Sequence, residues 1–181
     1  AREDCVGFTP DEEVARGTEN FDIEAFGARY AYTFDGGEVG GLEYENFNGG
    51  PLGDLHGVGV HPGSAKGKMV NSLRFLAKYI DRLPSEMSPE CTSEHEGFVH
   101  PNHVEGSVVS STVRILIRDH DRALYEAKKA KLVAAAEYLR VRHPRAVVDI
   151  ELSDSYANIA DSIRDDNREA IDRLYRALEA V

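Results

Sequence analysis

Basic residues are in short supply in this chain. Lys and Arg together number 21 against 32 Asp and Glu, leaving a formal net charge of −11 at pH 7. Nucleic-acid binding draws on clustered Lys and Arg to displace phosphate counterions, so this balance argues against a nucleic-acid partner. It suits solubility, or a cationic or amine-bearing substrate. Long apolar runs are also missing. No segment approaches the roughly 18 consecutive apolar residues of a membrane span, and no basic-then-apolar leader precedes the first apolar segment. The expectation is a cytoplasmic protein with no membrane partner. Cysteine is scarce: Cys5 and Cys91 are far apart and form no CxxC pair, so reduced thiols are expected rather than a disulfide framework. There is no internal repeat and no low-complexity segment. What is there, 41% apolar and 29% charged residues in a chain of 181, is the composition of a soluble globular protein with room for one good core.

The apolar pattern divides the chain into three stretches. Residues 1–48 read as part of an α/β domain, with strand-like runs at 6–8, 30–34 and 42–47 and a short helix opened by Pro10 over 11–17. Gly49-Gly50-Pro51 reads as a break. Residues 49–160 then follow a β-α-β-β-α-β order. A weak strand at 55–60 leads through His61-Pro62-Gly63-Ser64 into a helix whose buried face is Met69, Leu73, Leu76, Ile80 and Leu83, ended by Pro84. A loop rich in Glu, His and Pro over 85–102 is longer than an ordinary connection. Two strands follow, and in the second Val113, Ile115 and Ile117 alternate with Arg114, Leu116 and Arg118, a one-sided antiparallel pattern. A second helix turns Ala123, Ala127, Ala130, Ala134, Tyr138 and Val141 inward and stops at His143-Pro144. Val148, Ile150 and Leu152 supply the last strand. The fold class is therefore α+β and ferredoxin-like, a four-stranded antiparallel sheet with two helices on one face, flanked by pieces of an α/β domain. Residues 161–181 form a final helix with Ile171, Leu174, Leu178 and Val181 on one side.

Several residues could carry chemistry. Glu12 and Glu13 are adjacent carboxylates pointing in different directions, so one could bind a metal while the other moves a proton; they read equally as an acidic first helical turn. Asp35 follows a strand-like run and precedes two glycines, a place for a ligand or a plain Asp-Gly turn. His61 is held by a proline before a helix start, where it could donate to a developing oxyanion or simply form a helix-entry turn capped by Ser64. GSAKGK is not a phosphate-binding Walker loop, because its glycine and lysine spacing is wrong. Arg118 could clamp a carboxylate or pair with neighbouring acids. His95, Glu96, His100 and His103 follow no recurrent metal-ligand spacing.

Taken together, GFTPDEEV, YTFDGG, GLEYENFN, VHPGSAKGKMVNSL, EGFVH, IRDHD and DSYAN resemble peptidase T, the tripeptide aminopeptidase branch of the co-catalytic di-zinc peptidases related to carboxypeptidase G and aminoacylase. The resemblance is collinear from about Val6 to Ile163. It implies zinc-dependent removal of the N-terminal residue from a tripeptide, with short peptides as substrate and a homodimer among the partners. It makes Glu12 the general base, Glu13 a ligand of one zinc and Asp35 a ligand of the other. His61, in an inserted lid or dimerisation domain, touches the substrate near the scissile carbonyl; Arg118 and Asn71 are substrate-binding residues. The family's remaining ligands, an H-x-D segment, a bridging aspartate and a last histidine, have no counterpart in these residues. This chain alone is therefore expected to be inactive and not to retain its two zinc ions. A non-catalytic dimerisation or interaction module derived from the same family is the alternative. One departure stands out: where the family has a regular first lid strand, this chain reads Gly49-Gly50-Pro51-Leu52-Gly53-Asp54-Leu55-His56-Gly57. That composition predicts a short, irregular strand.

Overall fold

The structure is a computed structural model and describes residues 5–10, 16–34, 40–156 and 158–180. Two compact units emerge, one made by Ala1–Leu42 with Arg164–Val181 and the other by Glu43–Ile163. Among the described residues of its N-terminal part, the first unit contains one short helix, α1 (Ile23–Phe26). Asp22 caps it, its carboxylate accepting from the Ala25 amide at 2.9 Å, and Gly27 closes it at φ 67°, in the left-handed region that favours glycine.

The second unit runs β1 (Phe47–His56), α2 (Ser72–Asp81), β2 (Phe98–Gly106), β3 (Ser110–Asp119), α3 (Arg122–Arg142) and β4 (Val147–Tyr156). The sheet order is β2-β3-β1-β4, with every neighbouring pair antiparallel. Leu55, Val113, Ile115, Ile117 and Val148 of the sheet meet Leu76 and Tyr79 of α2 and Tyr125, Leu132 and Leu139 of α3 in one core. Each such side chain contributes about 1.5–3 kcal/mol on burial, so this layer dominates the unit's stability. The architecture is the ferredoxin-like α+β sandwich expected, with both helices on one face.

The first strand departs from expectation. It begins at Phe47 rather than 55 and runs straight through Gly49-Gly50-Pro51, as the central strand between β3 and β4. Close approach is the reason. A Cβ on Gly50 would overlap the Ile115 carbonyl of β3, and one on Gly49 would collide with the Tyr125 hydroxyl and the Ser153 carbonyl. Glycine there lets α3 and both neighbouring strands close over β1. Pro51, which has no N–H to give, sits where pairing with β3 lapses between Gly49↔Ile117 and Leu52↔Arg114, while its register partner on β4 is Leu152. Local composition argues for a break, and pairing on both sides overrides it. The next strand also starts early: β2 takes in Pro101, tolerated because β2 is an edge strand with a register shift between Pro101 and His103.

The face of α3 is rotated from its expected position, whereas that of α2 holds in part, with Leu76 buried and Ile80 and Leu83 packed against the core. On α2 the buried residues are Ser72, Leu76 and Tyr79; Leu73 is exposed and Met69 precedes the helix. On α3 the expected alanine row, with Tyr138 and Val141, faces solvent, and Tyr125, Lys128, Leu132, Ala135, Ala136 and Leu139 face the sheet. Apolar area decides this, since Leu132, Leu139 and Tyr125 bury far more of it than a row of alanines. Lys128 joins the inner face because its ammonium donates to Asp119, which is fully buried at the end of β3, and to the Glu96 carbonyl at 3.3 Å. The other Asp119 oxygen accepts from the Asp121 amide at 2.9 Å.

In the first unit, helix α4 (Glu169–Leu178) buries Ile171, and the Tyr32 hydroxyl donates to the Ala170 carbonyl at 2.9 Å. The strands expected at 6–8 and 30–34, and most of that at 42–47, are irregular; the helix expected at 11–17 lies largely outside the described residues. A strand needs a neighbour along its N–H and C=O groups; in the 42–47 run, which lies mostly in the second unit, the Tyr44 carbonyl accepts a single backbone bond from the Ala160 amide at 3.0 Å. No described helix is long and apolar enough to cross a membrane.

Two outcomes follow from this packing. Gly50→Ala should lower unfolding free energy in urea by about 1–3 kcal/mol, while Gly53→Ala, whose Cβ meets only side-chain methyls at 3.0 Å, should cost less. Lys128→Ala and Asp119→Ala should each cost about 3–5 kcal/mol, and the double variant clearly less than their sum, because each single change leaves a buried charge alone.

Candidate functional site

The loop between β1 and α2 carries two of the sequence candidates. Its ends are clamped by reciprocal backbone bonds between Val58 and Val70, at 2.7 and 3.0 Å. Beyond Val70, the Ser72 amide donates to the Val108 carbonyl at 2.9 Å and its hydroxyl to the Ser107 carbonyl at 2.7 Å. Inside the loop, Pro62 starts one turn of 3₁₀ helix over Pro62–Ser64, and His61 caps it. The His61 Nδ1 accepts from the Gly63 amide at 3.2 Å. That bond places the ring proton of neutral His61 on Nε2, an exposed donor. Ser64 is therefore inside the turn rather than its cap. Asn71 caps α2, its Oδ1 accepting from the Leu73 amide at 3.0 Å.

Arg118 sits at the opposite end of the sheet. Its Cα partners are Asn48 on β1 and Phe98 on β2, whereas the loop of His61 leaves β1 after His56, which pairs with Ser110. Eight residues of strand separate the two ends, roughly 26 Å at about 3.3 Å per residue. The structure thus brings His61 and Asn71 onto one loop and holds Arg118 apart from both. Arg118 Nη1 lies 3.6 Å from the Glu43 carboxylate, and the guanidinium lies 5.8 Å from the centre of the Phe98 ring.

Three buried polar atoms near this end find no hydrogen-bond partner among the described residues: Arg118 Nε, Asn48 Oδ1 and His120 Nδ1. Buried orphans of this kind are costly, and a bound polar ligand would satisfy them. Asn48 and His120 were not singled out from the sequence, although both lie inside the quoted motifs GLEYENFN and IRDHD. His120 also packs against His95, with ring centroids 4.4 Å apart. Nearby, the Tyr125 hydroxyl donates to Asp154 at 2.7 Å and Lys129 donates to the same oxygen at 3.1 Å. The Tyr125 hydrogen bond, with Lys129 behind it, holds the Asp154 carboxyl below the usual carboxylate range; burial and then Asp154 push the Tyr125 phenol up.

Glu12, Glu13 and Asp35 lie outside the described residues. Among those described, no three His, Cys, Asp or Glu side chains gather into a set that could hold a metal ion. The described residues alone therefore do not fit a zinc centre.

Residues 46–144 match the family model described as Peptidase dimerisation domain. Peptidase T of Clostridium acetobutylicum is 43% identical over 98% of this chain and 43% of its own length. Peptidase T of Vibrio atlanticus is 46% identical over 88% of this chain and 39% of its own. The chain thus spans about two fifths of the length of these curated relatives. Among solved structures, aminopeptidase PepT from Bacillus cereus superposes with a TM-score of 0.63 at 22% identity, over 82% of this chain and 40% of that one, a likeness of fold.

The geometry separates two roles for Asn71. Asn71→Ala removes a helix cap and should cost about 1 kcal/mol in thermal or urea unfolding, whereas Asn71→Asp keeps the capping oxygen and should be close to neutral.

Proposed function

Because the chain belongs to the peptidase T family and carries its peptidase dimerisation domain, we propose that it supplies the lid and dimerisation domain, and part of the catalytic site, of a zinc-dependent aminopeptidase. That enzyme releases the N-terminal residue of tripeptides in the cytoplasm. The observation that carries this reading is the sustained similarity, along nearly the whole chain, to proteins named peptidase T.

Glu12 is the general base in this reading, and Glu13 and Asp35 each serve one of two zinc ions, which supply Lewis-acid activation of the scissile carbonyl when bound. His61 supplies the N–H that meets the developing oxyanion. Its support is local: Nδ1 is already occupied by the Gly63 amide, which orients the ring and leaves Nε2–H outward. Arg118 holds the peptide carboxylate, a role favoured by its buried Nε–H, which finds no partner among the described residues, and by the planar fork of a guanidinium. Asn71 contributes amide N–H donors while its oxygen remains committed to the cap of α2.

The separation of these groups bears on assembly. An extended tripeptide spans only about 10 Å, far short of the roughly 26 Å between the two sheet ends. One chain's His61 and Arg118 therefore serve different substrate molecules. A homodimer in which His61 reaches the partner's site satisfies both roles.

The test is a chimera in which these 181 residues replace the aligned region of a full-length peptidase T. It should hydrolyse tripeptides, with Glu12→Ala lowering kcat about 10²–10⁴-fold and His61→Ala about 10²-fold. Equal mixing of the two variants after unfolding and refolding should restore about a quarter of wild-type sites if His61 acts across the dimer, and none if it acts within its own chain. A folded, zinc-loaded chimera that dimerises but cleaves no tripeptide would overturn the enzyme reading in favour of an interaction module.

A further inference from the structure

In a chain with a net charge of −11, a cleft of about 580 Å³ between α2 and the turn joining α3 to β4 is lined by cations. Every fully charged side chain on the lining is basic: Arg74 and Lys78 from α2, Arg142 from the last turn of α3, and Arg145 from the turn. No carboxylate lines it. None of the four cations has an ion-pair partner among the described residues, in a chain whose net charge is −11. Nearby acids are engaged or off the lining: Glu137 pairs with Arg140, and Asp81 closes α2 without facing the cleft.

The site is held in shape by hydrogen bonds and ring packing. Arg145 donates to the Gly67 carbonyl at 2.8 Å and to the Lys68 carbonyl at 2.5 Å, tying the turn to the loop that precedes α2. That leaves further guanidinium N–H groups for a ligand. Lys78 lies 3.1 Å from His143 Nε2, and His143 packs edge-on against Phe75 with centroids 4.9 Å apart. The C-terminal carbonyls of α3 offset about half a positive charge, against four cations. Mutual repulsion among those cations is what a bound anion relieves.

We propose that this cleft is a binding site for a compact oxyanion carrying two negative charges, of the phosphate or phosphate-monoester class. The charged fork of Arg142 and Arg74 with Lys78 meets the anionic head, and Phe75, Met69 and Pro144 offer apolar surface to an organic substituent. The cleft volume falls within the ordinary range for small-molecule sites. His143 reports on occupancy. Burial, then Lys78 and Arg142, hold its pKa below the ordinary histidine value, so a dianion among those cations raises it.

Asn71, given a peptide-binding role above, also lines this cleft, but the anion site is tested separately, by binding to the chain itself. Calorimetric titration at low salt with inorganic phosphate, phenyl phosphate and acetate should show saturable binding of both dianions, with acetate about tenfold weaker or worse. Tighter binding of phenyl phosphate than of phosphate assigns an organic ester as ligand, and equal binding assigns free phosphate; both support the site. NMR titration of His143 should give a higher midpoint with phosphate than with chloride. The exposed double variant Arg74→Gln, Arg142→Gln should melt like the parent and bind at least about tenfold more weakly. No saturation by about 10 mM of either dianion, or undiminished binding by that variant, would overturn the proposal.

Discussion

The structure depends on backbone meeting backbone at Gly49 and Gly50. β1 is the strand on which both neighbours and α3 converge, and at these two residues the Ile115 carbonyl, the Ser153 carbonyl and the Tyr125 hydroxyl occupy the space a side chain would take. Everything else in the second unit is arranged around that approach. It places Tyr125 against Phe47, with ring centroids 5.6 Å apart, and brings its hydroxyl to Asp154 on β4. The residues that weaken an isolated strand are the ones that let this strand be central.

Electrostatics then divides the unit. At the end of β3, a fully buried Asp119 is answered by Lys128 from α3, and this pair reinforces the inward face that apolar burial selects. A buried ion pair adds little net stability over an apolar pair, yet it penalises any rotation of α3 that would leave either charge alone. Against the acidic surplus of the chain, cations gather without carboxylates on the cleft lining at the α3–β4 turn. Charge is therefore positioned here rather than merely abundant.

The two ends of the sheet present different chemistry. One offers the clamped loop with His61, whose tautomer is set by a backbone amide, and Asn71, whose oxygen caps a helix. The other offers Arg118 among buried polar atoms that find no partner among the described residues. Antiparallel strands of ten residues keep these groups at opposite ends of the sheet.

By itself the sequence determined the order and type of elements in the second unit. Alternation at Val113, Ile115 and Ile117, the stop at His143-Pro144 and the run at Val148 and Ile150 are local signals that need no knowledge of neighbours. It also carried the motifs that place the chain in its family. Only the tertiary structure decided which side of α3 is buried, because periodicity marks a face without saying whether leucines or alanines win the core. It alone decided that Gly49-Gly50-Pro51 is a strand, since strand formation depends on partners distant in sequence. And it alone decided the company each candidate keeps, with Arg118 and His61 separated by the length of a sheet whose register no local pattern records.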